Sequence, residues 1–239
     1  PLPLSGREVM QIGASLLRHM NETPAWWSHH PIFSTEDYGR LYQVGAYVGQ
    51  GENGIVYHSS ERLGHTQSVT KFARLTTPLT LEAHVMAYGN LLRLYGITNQ
   101  VCTMYDFFVT KNLAPTLLAD IHARWGTFST EYQVILVMSQ LAGTWKDVVY
   151  VTPAMAFELV WVLMALKRNC GITPIDLHLG NIGFTHVAYS RSYQVGPDQY
   201  VYVPFRSPLT MVVDYGLYGI PQHNHFTNYP DMDTCTKGD

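Results

Sequence analysis

The stretch LYQVGAYVGQGENGIVYHSS, residues 41–60, constrains this fold more than any other. β-Branched and aromatic residues flank a cluster of glycines, the pattern of two antiparallel strands joined at a tight turn. Gly49, Gly51, Gly54 and Val56 give the spacing G-x-G-x-x-G-x-V. A dinucleotide fingerprint would need the third glycine to open a helix within a βαβ unit. Here IVYHSS follows, a strand, so the glycines sit at a hairpin tip. Such a tip is either a plain Gly-rich turn or a cover for phosphates, since glycine lets backbone N–H groups approach a ligand closely.

A lysine behind the hairpin bears on that choice. Lys71, in SVTKF, falls on the expected next strand, where its ammonium can reach phosphate as a point charge. A buried cation needs a counter-charge. Glu82, at the start of the helical pattern LEAHVMAYGNLLRLY over 81–95, is the only acidic residue between Lys71 and Asp106, and is the expected partner.

Further along, VCTMYDFFVT and YQVILVMSQL read as strands separated by a longer connection from about 110 to 130. AMAFELVWVLMALKRNCG reads as an apolar helix stopped at Gly171. Short strands follow around NIGF, QYVYVPF and LTMVVDYG. Ahead of the hairpin, residues 5–20 read as a helix, with Ser5 and Glu8 as a capping box and Val9, Ile12, Leu16 and Met20 on one face. Trp26 and Trp27 pack that helix onto the body.

With 46% hydrophobic and 14% charged residues in 239, the chain is globular and long enough for a sizeable core. A net charge of −3 gives no electrostatic case for nucleic acid or an anionic membrane as partner. No apolar run approaches the ~20 residues of a membrane span. The first residues carry no signal-peptide pattern. The chain opens on Pro1 without a Met, as expected of a processed or excised chain. Three widely spaced cysteines, Cys102, Cys170 and Cys235, read as reduced thiols of a cytoplasmic protein.

The run PIDLHLGNIGF, residues 174–184, places Asp176, His178 and Asn181 together just before a strand. Asp176 and Asn181 have the D-x-x-x-x-N spacing of a phosphoryl-transfer loop: an acid for the acceptor hydroxyl and an oxygen ligand for Mg²⁺. MVVDYG then places Asp214 after an apolar strand and before Tyr215 and Gly216, a D-F-G element with Tyr for Phe. His178 reads as a hydrogen-bonded loop histidine rather than a catalytic base.

GQGENGIV, VTK, Glu82, DLHLGN and DYG stand in the order of the protein-kinase-like superfamily, which the chain resembles from about residue 41 to 216. The resemblance implies an α+β, two-lobed protein-kinase-like fold with a β-rich N-lobe and a short helical C-lobe. The parts would be residues 1–40 as an N-terminal helical extension, 41–140 as the N-lobe and 141–239 as a minimal C-lobe. It further implies ATP and Mg²⁺ in the cleft, with Gly49, Gly51, Gly54 and Val56 over the nucleotide. Lys71 would sit on the phosphates, Glu82 would orient Lys71, Asp176 would be the acid/base, and Asn181 and Asp214 would bind Mg²⁺. VMSQLAG would link the lobes, with Met138 backing the adenine pocket and the backbone of Ser139 to Leu141 bonding the adenine edge.

Departures shape the expectation. Pro174 and Ile175 replace the family's His and Arg before the catalytic Asp. The arginine that answers a phosphorylated activation loop is therefore missing, and activity without a phosphorylation switch is expected. A hairpin around GPD, 196–198, is inserted between Asn181 and Asp214, and only 23 residues follow Gly216. The chain is thus expected to be a minimal kinase or a truncated one. Minimal kinases of this outline include the RIO-like family, and the host-takeover kinases of phages look similar. The function implied is a Ser/Thr protein kinase acting on protein substrates, host proteins in the host cytoplasm if the source is viral. Two alternatives stay open: a small-molecule kinase, whose cationic acceptor Asp231 and Asp233 could hold, and a pseudokinase binding module.

Overall fold

The computed structural model describes residues 35–51, 54–64, 66–74, 96–110, 113–126, 133–170, 172–174, 176–213 and 218–219, with seven single positions between 82 and 93. The helix expected over 5–20, Trp26 and Trp27, the stop at Gly171, Ile175, the Asp214–Tyr215–Gly216 element, and Asp231 and Asp233 lie outside the described residues.

The fold is α+β and mostly antiparallel. A short helix, α1 (Thr35–Leu41), leads into a five-stranded sheet: β1 (Tyr42–Gly51), β2 (Gly54–Glu61), β3 (Gln67–Arg74), β4 (Met104–Thr110) and β5 (Gln133–Ser139). Their spatial order is β1-β2-β3-β5-β4, every neighbour antiparallel. The glycine stretch is a hairpin, with Gly51 opposite Gly54 across a two-residue connection. Sequence position in the sheet explains composition. β5 (QVILVMS) is central and covered on both faces, so it reads as a continuous apolar run with Gln133 to Val137 all buried. β1 is an edge strand, mostly exposed, and two register shifts bracket Tyr47.

Period-2 alternation sorts the sheet's residues onto two faces. Ile55, Tyr57, Phe72, Ile135 and Val137 form one core with Tyr38 of α1 and with a second helix, α2 (Pro115–Trp125). Tyr38 packs edge-on against Phe72 and Phe108. Its hydroxyl donates to Thr70, and burial pushes the phenol up to about 12. Neither α1 nor α2 was expected; the 110–130 stretch read as a connection. Its signal is nevertheless local: Pro115 opens the helix, Leu117, Leu118, Ile121 and Trp125 share a face, and Gly126 at φ 84° closes it.

The opposite face carries Lys71, Val56 and Leu136 in register. The described positions of the 81–95 stretch are helical and dock near it. Val85, Met86 and Leu92 enter a core with Val101, Cys102 and a long helix, α3 (Pro153–Cys170). Gly89 lets this helical stretch approach Val101, whose side chain would collide with any Cβ there. Asn90 fixes the docking by pairing with Met104 as a strand residue would, donating to its C=O and accepting from its N–H.

Beyond β5 the strands are short. β6 (Gly143–Thr144) and a 3₁₀ turn (Trp145–Asp147) precede α3; β7 (Thr173–Pro174) follows it. β8 (Ile182–Thr185) lies between β6 and β11 (Leu209–Val212). β9 (Arg191–Gly196) and β10 (Gln199–Val203) form the hairpin expected around residues 196–198, and β12 (Tyr218–Gly219) pairs with β7. A seam joins the two regions. Val101 bridges Val212 in parallel, Val212 N–H donates to Gln100 C=O, and the Gln100 amide donates to Glu158 C=O.

α3 is tied to the inserted hairpin by a buried ion pair. Arg191 Nε donates to Glu158 Oε1 at 2.6 Å, with the side chains 4% and 0% exposed. Tyr193 hydroxyl and Thr210 N–H donate to the same carboxylate. Removing one partner of a buried pair strands the other charge, so Arg191→Ala is expected to cost about 3–5 kcal/mol. Urea denaturation measures it, and a loss below about 1 kcal/mol would refute the pairing's structural role.

Candidate functional site

Three groups of residues define the site, and each is placed by a different part of the fold. The first is on the sheet. Lys71 Nζ donates to both Glu82 oxygens, at 2.9 and 2.8 Å, with the two residues 8% and 2% exposed. β3 aims Lys71 to the same face as Val56, its cross-strand partner. Gly54 lies directly against the lysine stem: a Cβ there would meet Lys71 Cε and Phe72 O at 3.0 Å. At Gly49 and Gly51 a Cβ would meet nothing within 4 Å. Only the third glycine is therefore demanded by packing. The first two leave open space beside the hairpin.

The second group is the loop before β8. Asp176 is exposed, its carboxylate 3.8 Å from His178 Nε2. His178 Nδ1 accepts from Gly180 N–H, and its C=O accepts from Asn181 N–H. Asn181 is nearly buried, and its amide nitrogen donates to Asp176 C=O at 2.9 Å. The loop is thus a closed set of bonds around an exposed Asp176. β8 pairs with β11, and Val213 N–H donates to Asn181 C=O. Asp214, the residue that follows, lies outside the described residues. Among the described residues no cluster of three or more His, Cys, Asp or Glu could hold a metal ion.

The third group joins the other two. Met138, near the end of β5, packs on the core that Leu177 and Val213 also join. Ser139 N–H donates to Thr103 C=O, and its hydroxyl accepts from Thr103 N–H. Among the described residues Gln140 and Leu141 of the expected linking segment make no main-chain hydrogen bond. Leu141 lies on Gly183 of β8, where any Cβ would collide with it. Cys102 sits beside Ser139, its thiol 3.3 Å from the hydroxyl. Burial pushes the thiol up to about 11. The structure adds residues the sequence did not single out: Asp120, Arg124 and Trp125 of α2, which contact the glycine hairpin. The helix signal over 115–125 would have found them.

The chain matches no protein-family model and no curated protein. Among the described residues no helix is long and apolar enough to cross a membrane.

Two outcomes test this geometry. Gly54→Ala is expected to lose about 1–3 kcal/mol through crowding of Lys71, whereas Gly51→Ala stays within about 0.5 kcal/mol. Equal losses in urea titrations would show that the hairpin is packed differently. Cys102 should resist iodoacetamide at pH 8 in the native protein, because a thiol held near 11 has little thiolate there, and react once unfolded. Native labelling of the Cys102 peptide at the unfolded rate would overturn its burial.

Proposed function

We propose that the chain is an ATP- and Mg²⁺-dependent phosphotransferase with a two-lobed, atypical protein-kinase-like fold, acting as a Ser/Thr protein kinase. The observation that carries the reading is the buried Lys71–Glu82 pair, on the sheet face beside the glycine hairpin. A buried ion pair of this kind gains little net stability. It makes sense where a fixed positive charge must meet anionic phosphate.

In this reading the five-stranded sheet is the N-lobe, and β8 with β11 carries the catalytic loop of the C-lobe. The glycine hairpin covers the phosphates, and Lys71, oriented by Glu82, holds them. Met138 and Leu141 line the adenine site, and the backbone of Ser139 to Leu141 bonds the base edge. Asp176, turned outward by the loop, accepts the proton of a protein hydroxyl. Mg²⁺ held by Asn181 and Asp214 would neutralise charge on the phosphates during transfer.

Mg-ATP is expected to raise the melting temperature, as any ligand of the native state alone does. Lys71→Ala, Asp214→Ala and Asp176→Asn are each expected to lower transfer at least 10²-fold. Asp176→Asn, at an exposed position, should do so with stability unchanged within about 0.5 kcal/mol. The assay is labelled ATP with a cell lysate. Label on proteins supports the reading; label on small molecules moves the acceptor class, and no label together with no thermal shift refutes it.

A further inference from the structure

Helix α2 connects two strands that are neighbours in the sheet, yet it contacts the far edge. It lies over the face that carries Ile55, Tyr57 and Phe72, behind the glycine hairpin and opposite Lys71. Trp125 Nε1–H donates to Gly51 C=O at 2.9 Å, at the hairpin's tip. Asp120 accepts from Tyr57 hydroxyl at 2.8 Å and from Arg124 Nε at 3.0 Å. Arg124 in turn stacks over the Tyr47 ring, 4.7 Å from its centre, and Tyr47 packs edge-on against Tyr57. These contacts hold both strands of the hairpin to one helix.

The hairpin needs such a hold. β1 is an edge strand with ladder bonds on one side only, and it carries Gly45, Gly49 and Gly51. Its register shifts on both sides of Tyr47. Glycine loses more freedom on ordering than any other residue, so this tip is the costliest part of the sheet to fix in one place. A backbone cradle for a ligand must nevertheless be fixed to about 0.5 Å.

We propose that α2 is a strut that sets the glycine hairpin over the nucleotide, with Trp125 as the positioning residue. The proposal rests on the phosphotransferase reading. α2 acts from behind the sheet and touches no reacting atom. Holding the Gly51 carbonyl fixes the backbone at the tip, and the Arg124–Tyr47–Tyr57 stack holds the strand that leads to it.

Trp125→Phe keeps an aromatic ring against the core and removes the N–H donor together with part of the indole's packing. Hydrogen exchange of the 45–56 peptide should quicken about fivefold, the loss expected from one neutral hydrogen bond. Exchange in β3 and β5 should stay as in the wild type. Mg-ATP titration calorimetry and steady-state ATP turnover should give about a fivefold weaker affinity and a higher KM for ATP. The kcat should hold within about twofold, a split that mere loss of stability does not produce. Arg124→Ala, at an exposed position, provides a second variant with the same expected direction. Unchanged hairpin exchange in both variants overturns the strut, whatever happens to ATP. Faster exchange with unchanged ATP affinity overturns the positioning role. Faster exchange in a protein whose wild type takes no ATP means that the phosphotransferase reading has failed, and the nucleotide-positioning proposal with it.

Discussion

The buried contact between Lys71 and Glu82 is the constraint around which the sheet and its neighbours are built. Two opposite charges leave water together, and the desolvation cost largely cancels their attraction. The fold then supplies what the pair needs. Gly54 clears room for the lysine stem, which any side chain there would crowd. Val56 and Leu136 flank Lys71 in register. Glu82 sits on a helical stretch clamped by Asn90 to Met104 and brought close by Gly89 at Val101. If any of these failed, one buried charge would be left without its partner.

A second buried pair, Glu158 with Arg191, serves a different end. It binds three parts of the second region, α3, the β9–β10 hairpin and β11, into one unit. The Gln100 side chain, reaching Glu158 C=O, carries that unit to the seam with the sheet. Two charged anchors on either side of a shared apolar core give a frame in which the loop carrying Asp176 and the strand carrying Lys71 keep fixed relations. The frame depends on charge burial as much as on hydrophobic contact, which makes single truncations at these four positions costly and leaves surface positions tolerant.

What could be read in the sequence was local. The glycine spacing with IVYHSS announced the hairpin, and the scarcity of acids after Lys71 announced Glu82 as its partner. The hairpin at residues 196–198 was legible from its turn residues. By contrast, Glu158 and Arg191 are 33 positions apart with no motif between them, and only folding brings them together. Tyr38 belongs to a core with Phe72 and Phe108 that no periodicity reveals. α2 was missed for another reason. Its polar residues, Asp120, His122 and Arg124, made the stretch read as a connection, and its apolar face is narrow because it covers only one side of the sheet.

The same polar residues explain why the helix is there. An apolar helix could cover the sheet face, but it could not hold the outer edge, where β1 meets water and carries glycines. Polar contacts that tolerate solvent suit that position: an indole N–H on a carbonyl, and a guanidinium over a ring. Each is specific enough to hold the tip in one place. The loop on the other side follows the opposite rule. Asn181 is nearly buried and bonded, while Asp176 stays exposed. Rigidity is thus concentrated at the buried Lys71, Glu82 and Asn181. Access is left to Asp176, which faces solvent.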